Sequence, residues 1–524
     1  MTSSTKLHPV SFRALQKRIA PAALAIAAIG AATANAQDSA ALIDALVNKG
    51  VLTDREAADI RTNLNKDLAD SSAAKIKLSN SITELKLYGD LRLRYQYDNR
   101  DRQADPAEVG ARGITRDEDR SPNSEQSSRW RFRLRLNADF KLGPNWFGGV
   151  ELQTAQASDS GMQTFENGFD DYNIFISKAY LGWNATDWLT ITAGKVPNPF
   201  YTTELVWDSD INPTGLTQSF ALHKLWAGDP ESASSGYAKD GKSAAAAKPS
   251  EPKFELFLNA GQFIFDDNLE GGGRDNATRD NDATTDAYLF QTQLVASYKL
   301  TKDVKLTVAP GWLTYINGSL SGLSNANSFN DNGTVSGATR NLNILLLPGD
   351  VSFKVGGVKA KFFWDFAYNI EGRKRTNDIY DLFTLGALGD DAEAEVDDVD
   401  GTVDIDDKDF QHSLQDDFAY HVGVQLGENK KKGDYSLLSS WRQTGIGAVD
   451  PNLNDSDFAG AELNTRGVRT SLAYNFTDFL VGAVTYGYAW NLRDDLAGGE
   501  ATGGNAIADA NAFHLFQVDF NLKF

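Results

Sequence analysis

Arg131, Arg133 and Arg135 occupy every second position of "RWRFRLRLNADFKL", and Lys141 extends their file. Arg92 and Arg94 repeat the spacing in "ELKLYGDLRLRYQY", Lys359 and Lys361 in "VKAKFFWDFAYNI", and Arg469 lies in a similar stretch at 464–476. Such files do electrostatic rather than covalent chemistry. In an extended chain, alternate residues share a face about 6–7 Å apart. That lies within a Debye length, so their fields add. A lumenal stripe of this kind favours anions. The competing reading is a structural ladder paired with Asp90, Asp139, Glu151 and Asp365, which would cancel much of the field. Both readings stay open at this point.

A second candidate is "VPNPFYTTELVWDSDINPTG", residues 196–215. Pro197, Pro199 and Pro213 forbid a central strand, while Phe200, Tyr201 and Trp207 call for burial. We expect a loop folded into the interior as a constriction, with Asp208 and Asp210 facing the arginines and a transverse field between them. The acidic run at 390–409, opposed only by Lys408, reads as a solvated external loop. It is no EF-hand, since Val396 stands at the first ligand position, but weak Ca²⁺ or Mg²⁺ binding that bridges lipopolysaccharide is its sharper reading. No cofactor and no dedicated metal site is indicated.

Enzymatic chemistry finds little support. Beyond the leader described below there are four histidines, His223, His412, His421 and His514, and none stands in a nucleophile motif. The net charge of −20 argues against nucleic acid, which needs a basic footprint. The absence of cysteine fits an oxidising compartment.

The elements that must position these residues follow from periodicity. Lys6, Arg13, Lys17 and Arg18 precede an Ala-rich apolar run ending in Ala34-Asn35-Ala36, which reads as a signal peptide over 1–36. No later apolar run approaches the ~18 residues of a spanning helix. Residues 37–83 read as a periplasmic helical hairpin and linker, with Thr53-x-x-Glu56 as a capping box; self-association or packing is its simplest role. From residue 84 the period changes to two. In 129–142, Trp130, Phe132, Leu134, Leu136, Ala138, Phe140 and Leu142 alternate with the basic file. If the arginines met lipid, each would cost ~2–4 kcal/mol near the midplane. They therefore face water and the aromatics face lipid.

Short turns alternate with long polar segments, as in membrane barrels. Upward strands are expected near 84–97, 146–154, 188–196, 253–265, 304–316, 358–370, 434–443 and 478–492. Downward strands are expected near 129–142, 173–184, 216–226, 286–300, 341–355, 416–427, 464–476 and 512–524. The fold class is therefore all-β, a transmembrane antiparallel β-barrel over 84–524 of about 16 strands, with 14 or 18 also compatible. At this strand number a water-filled bore is expected rather than a packed core. The last strand, "FHLFQVDFNLKF", closes on the first, and its terminal Phe524 resembles the C-terminal signature that bacterial outer-membrane assembly machinery reads.

"ALIDALVNKGVLTDREAADIRTNL", "GKVPNPFYTTELVWDSDINPTGL" and the Phe end together resemble the "Putative porin" family of Gram-negative outer-membrane barrels with a short periplasmic helical region. The resemblance covers essentially the whole mature chain. It implies a water-filled channel in the outer membrane, passing small hydrophilic solutes, with lipid and lipopolysaccharide as surroundings and a homotrimer as a compatible assembly. Anion preference is the expectation from the arginines. An envelope-anchoring barrel, or less favourably a barrel lipase, is the alternative.

Overall fold

The computed structural model describes residues 43, 46, 47, 49, 52, 53, 55–62, 78–102, 124–155, 161–165, 171–226, 253–266, 287–316, 341–377, 412–493 and 510–524. The leader, the 227–252 segment and the acidic run at 390–409 lie outside them. The chain divides into two units, Met1–Ser79 and Asn80–Phe524. In the first, residues 55–62 are helical. The amide of Thr53 donates to Glu56 Oε2 at 2.9 Å and the amide of Glu56 to Thr53 Oγ1 at 3.3 Å, the reciprocal bonds of a capping box. Those bonds from Thr53, main chain first, hold the Glu56 carboxyl below its usual range. Among the described residues no helix is long and apolar enough to cross a membrane.

The second unit is one closed antiparallel sheet. Its crossings are β1 (Ile82–Arg102), β2 (Ser124–Leu142), β3 (Trp146–Thr154, continued by Gln163–Thr164), β4 (Ile174–Asn184), β5 (Leu189–Lys195), β6 (Thr214–Ala221), β7 (Phe254–Asp266) and β8 (Ala287–Lys299). There follow β9 (Lys305–Val308 with Gly311–Ile316), β10 (Asn343–Leu346 with Gly349–Val355), β11 (Val358–Asn369), β12 (Phe418–Gly427), β13 (Tyr435–Thr444), β14 (Thr465–Asn475), β15 (Leu480–Asn491) and β16 (Ala510–Lys523). Nineteen hydrogen-bonded segments thus make sixteen crossings, because β3, β9 and β10 are each built of two segments. Closure is direct: β1 pairs with β2 on one side and with β16 on the other. No edge is left to meet lipid unsatisfied.

Every expected crossing is present, with two shifts of boundary. β1 and β2 run about five residues further at the long-loop end, because Asp98↔Ser127, Asn99↔Gln126 and Arg100↔Glu125 continue the ladder. The expected strand at 216–226 instead starts at Thr214 and stops at Ala221, and a 3₁₀ turn over Leu222–Leu225 follows. There the His223 ring bonds the main chain of Leu256, so the segment packs on β7 rather than extending the wall.

Alternation sets the two faces. Leu87, Leu93, Trp130, Leu136, Phe362, Phe516 and Phe520 are exposed on the outer wall. Arg94, Arg133, Gln291, Gln293, Asp365 and Gln517 are buried within. Aromatic pairs such as Trp146–Trp183, with centroids 5.6 Å apart, and Trp441–Trp490 at 5.6 Å sit toward opposite ends, as in interfacial girdles.

The terminal residue completes the closure. Gly89 and Phe524 exchange main-chain hydrogen bonds, N to O at 2.9 Å and 3.1 Å. A Cβ at position 89 would lie 2.3 Å from the Arg135 carbonyl oxygen and 2.8 Å from Phe524 Cζ, so only glycine lets the ring lie there. Deletion of Phe524 is expected to leave secretion intact but to lower the amount of heat-modifiable, membrane-assembled barrel. Normal levels of assembled protein would count against this role.

Candidate functional site

The loop at 196–213 enters the barrel. Its prolines exclude it from the ladder, and Val196, Phe200, Leu205, Val206 and Trp207 are buried. Water would make each such apolar side chain cost about 1.5–3 kcal/mol relative to burial. The lumenal side of β7 to β11 supplies the matching surface: Phe263, Leu289, Leu313, Ile344, Leu346 and Ala367 join them in one cluster. Polar bonds fix its path. Trp207 Nε1 donates to Gln291 at 2.8 Å, and Gln293 bonds both the amide and the carbonyl of Tyr201. The Tyr201 hydroxyl donates to Asp350. Burial first, then that bond, pushes the Tyr201 hydroxyl well above its ordinary range. Thr203 donates through N and Oγ1 to Asp365, each at 3.0 Å, and meets His421 Nδ1 at 3.1 Å. Thr214 and Gly215, expected within this loop, belong instead to β6, paired with Lys195 and Gly194.

A second loop, 445–464, also lies inside. Of its residues only Ser456, Asp457 and Gly460 are not buried. Ile446, Ala448, Val449, Leu453 and Leu463 extend the apolar cluster. The two loops meet through Asp208 N to Leu453 O at 2.6 Å and Asp455 N to Glu204 O at 3.1 Å. Tyr315 of β9 donates to Asp450 at 2.5 Å, and Asn369 of β11 to the Gly447 carbonyl at 2.7 Å. Ala459, Ala461 and Asn464 adopt positive φ of 51°, 65° and 58°, a conformation held by packing, since isolated non-glycine residues avoid it. As a long polar segment between two strands, 444–463 reads from the sequence as an external loop. Its burial corrects that reading, and with it the expectation of an open bore: the side lined by β7 to β12 is packed with apolar groups. The sequence signal was present in apolar residues scattered through a polar stretch, Ile446, Val449, Leu453, Phe458 and Leu463 among them, but their spacing matches no regular element.

What stays open is polar. A cavity of about 290 Å³ lies between the loops and the β1, β2 and β14–β16 wall. Its cations are Arg92, Arg94, Arg131, Arg469 and Lys523, and its acids are Glu204, Asp208, Asp210, Asp455, Asp457 and Asp519.

Most of these charges are already engaged. Arg94 bridges Asp519 and Asp457, each at 2.8 Å. Arg133 meets Asp210 at 2.7 Å and Asp90 at 3.4 Å, and Arg135 meets Asp90 at 2.6 Å. Asp210 was expected across the passage from the arginines; it is in direct contact, because the loop packs against β2. Arg131 donates to Gln96 and to the Met162 carbonyl. Arg92 lines the cavity with no ion pair within 4.0 Å among the described residues. Of the other suggested partners, Asp139 accepts from Tyr88, Glu151 pairs with Lys178 at 2.9 Å, and Asp365 holds the first loop. Lys359 and Lys361 sit on the lumenal face too, but at the short-turn mouth, where Lys359 meets Glu428 at 2.8 Å.

Arg469 ties the assembly together. Its guanidinium reaches Glu204 at 3.0 Å, Asp455 at 3.2 Å and Asp457 at 3.6 Å. Burial alone would raise the Asp457 carboxyl, but Arg94 and Arg469 outweigh it and hold it well below the usual carboxylate range. Burial and the neighbouring Glu204 charge push Asp455 the other way. Burial, then the like charge of Asp210, pushes Asp208 up to about 7.

The histidines meet Leu256, Asp417, Thr203 and Tyr486, and the arrangement of His421 and Asp365 around Thr203 anchors a loop.

Comparison with known proteins gives a family model described as "Putative porin", matching residues 16–344. No curated protein matches the sequence. Among solved structures, OprB of Pseudomonas putida is similar at 9% identity over 84% of this chain and 94% of that one, with a TM-score of 0.41. OmpF of Salmonella typhi is similar at 11% identity over 86% and 100%, TM-score 0.38. A Rh. blastica porin variant is similar at 8% identity over 84% and 100%, TM-score 0.35.

Proposed function

The chain belongs to the "Putative porin" family, and from that premise we propose that it is a passive diffusion channel of the bacterial outer membrane, with loops 196–213 and 445–464 forming the constriction. The observation that carries this reading is the polar cavity left between the loop carboxylates and the arginine-bearing wall, opposite a packed apolar side. Solutes passing there exchange hydration for charged and amide groups on every side. This selects for small hydrophilic molecules and against apolar ones. Preference among ions is mild, because five cations and six acids line the cavity. It leans toward anions through Arg92, while Asp455 and Asp208 are raised toward their neutral forms.

Planar bilayers with purified protein test this. Stepwise conductance in KCl is expected, and its absence, with ester hydrolysis or cell-wall binding instead, would favour an enzyme or an anchor. Replacing Arg131, Arg133 and Arg135 with Gln strips the partners of Asp90 and Asp210. The reversal potential in a low-salt gradient is then expected to move toward cations without closure. An unchanged potential would make the ladder structural only.

A further inference from the structure

At the short-turn end, a second cavity of about 340 Å³ is lined by Lys299, Lys305, Lys354, Lys359 and Lys361, with Lys302 in the adjoining turn. Alternation places them inside the bore. Lys299 shares its face with Gln293 and Ser297, Lys305 with Thr307, Lys354 with Asp350, and Lys359 and Lys361 with Asp365, and those five non-lysine residues are buried in the lumen. This density is opposite to the bias of a chain with net charge −20.

Among the described residues, three carboxylates pair with the lysines of this wall. Lys305 meets Glu255 at 3.4 Å, Lys354 meets Asp303 at 2.8 Å, and Lys359 meets Glu428 at 2.8 Å, which is shared with Lys430 at 3.0 Å. Lys359 and Lys354 are about half exposed, at 51% and 48%, and exposed pairs of this kind contribute ~0–1 kcal/mol. Lys361 places its ammonium 5.5 Å from the Phe363 ring centre and has no ion pair within 4.0 Å among the described residues.

We propose that this lysine wall is a binding site for soluble multivalent oxyanions, solutes carrying several phosphate or carboxylate groups, at the short-turn mouth of the passage. It rests on the channel reading for its role in transport. Each ammonium offers three donors on a flexible stem, so one polyanion accepts from several lysines at once and displaces weak carboxylate pairs. The fields of cations this close add, and they decline with salt. Lipid headgroups carry the same chemistry, but five of the six lysines point into the bore.

The test is calorimetric binding of inorganic tripolyphosphate to the full chain in nonionic detergent. Wild type is expected to bind, and the K305Q/K359Q/K361Q variant to bind at least about tenfold more weakly. Binding should also fade as salt rises. Equal binding by wild type and variant, no binding by either, or displacement by phosphatidylglycerol added to the micelles would overturn the assignment. In bilayers of zwitterionic lipid, tripolyphosphate should reduce the current more from the short-turn side than from the other. A chain that passes no current in plain KCl would fail as a channel, while the calorimetry would still decide the site.

Discussion

Arg469→Leu is expected to convert a narrow, quiet channel into a wider and noisier one. Among the described residues, the Arg469 guanidinium is the one side-chain group that pairs with acids of both in-folded loops, Glu204 in the first and Asp455 and Asp457 in the second. Removing it leaves three carboxylates together, with Arg94 on Asp457 their one remaining ion pair within 4.0 Å among the described residues. Breaking a buried ion pair from one side costs ~3–5 kcal/mol. The closed sheet has no share in that loss, since its ladders are main-chain bonds. The cost therefore falls on docking of 445–464, and the loop should leave the lumen for part of the time. Single-channel recording should show larger and fluctuating currents, with the heat-modifiable band unchanged. Arg469→Lys keeps the charge but loses the fork and should be intermediate. Wild-type conductance and noise in the leucine variant would show that the loop is held by its apolar contacts alone.

The second large effect concerns pH. With its carboxyl pushed up to about 7, Asp208 carries a proton in mildly acidic solution and loses it near neutrality. Asp210, Asp457 and Glu204 add their negative charge around it. Because the folded value lies above the ~3.9 of an unfolded aspartate, this group's contribution to docking is complete below that unfolded value. It is lost as pH rises through about 7. Asp457 works in the opposite sense: its depressed value stabilises docking above the unfolded range and fails only in strong acid. Between about pH 5 and pH 8 only Asp208 titrates of the two, and the passage gains a negative charge. The reversal potential in a KCl gradient should shift toward cations over that window, and Asp208→Asn should flatten the shift. An undiminished shift in the Asn variant would place the titration elsewhere.

Particular residues show how much was legible. The alternation of Trp130, Phe132 and Leu134 with Arg131, Arg133 and Arg135 decides which face meets lipid, because a wrong choice costs several kcal/mol in one strand. The crossings follow from the same rule, and parity with the short turns fixes their order. Pro197, Pro199 and Trp207 mark the first in-folded loop, since such a segment can neither join a ladder nor stay in water. The Thr53–Glu56 capping box is legible for the same kind of reason: its partners are three residues apart.

The second loop and the pairing of the charges were not legible in this way. Ile446, Val449 and Leu453 find their neighbours in Leu313, Ile344 and Val206, which no local period connects to them. Arg94 and Asp519 are 425 positions apart and meet only because the last strand closes on the first. The sequence by itself therefore determined the barrel, its lipid face, its basic file and one inward loop, all set by nearest-neighbour periodicity and the cost of charge in hydrocarbon. Only the tertiary structure decided that one side of the bore is packed, that a second loop helps to fill it, and that most of the lumenal arginines described are paired with acids. Those outcomes depend on which distant side chains the closed sheet brings within a few ångströms, and no spacing along the chain encodes that distance.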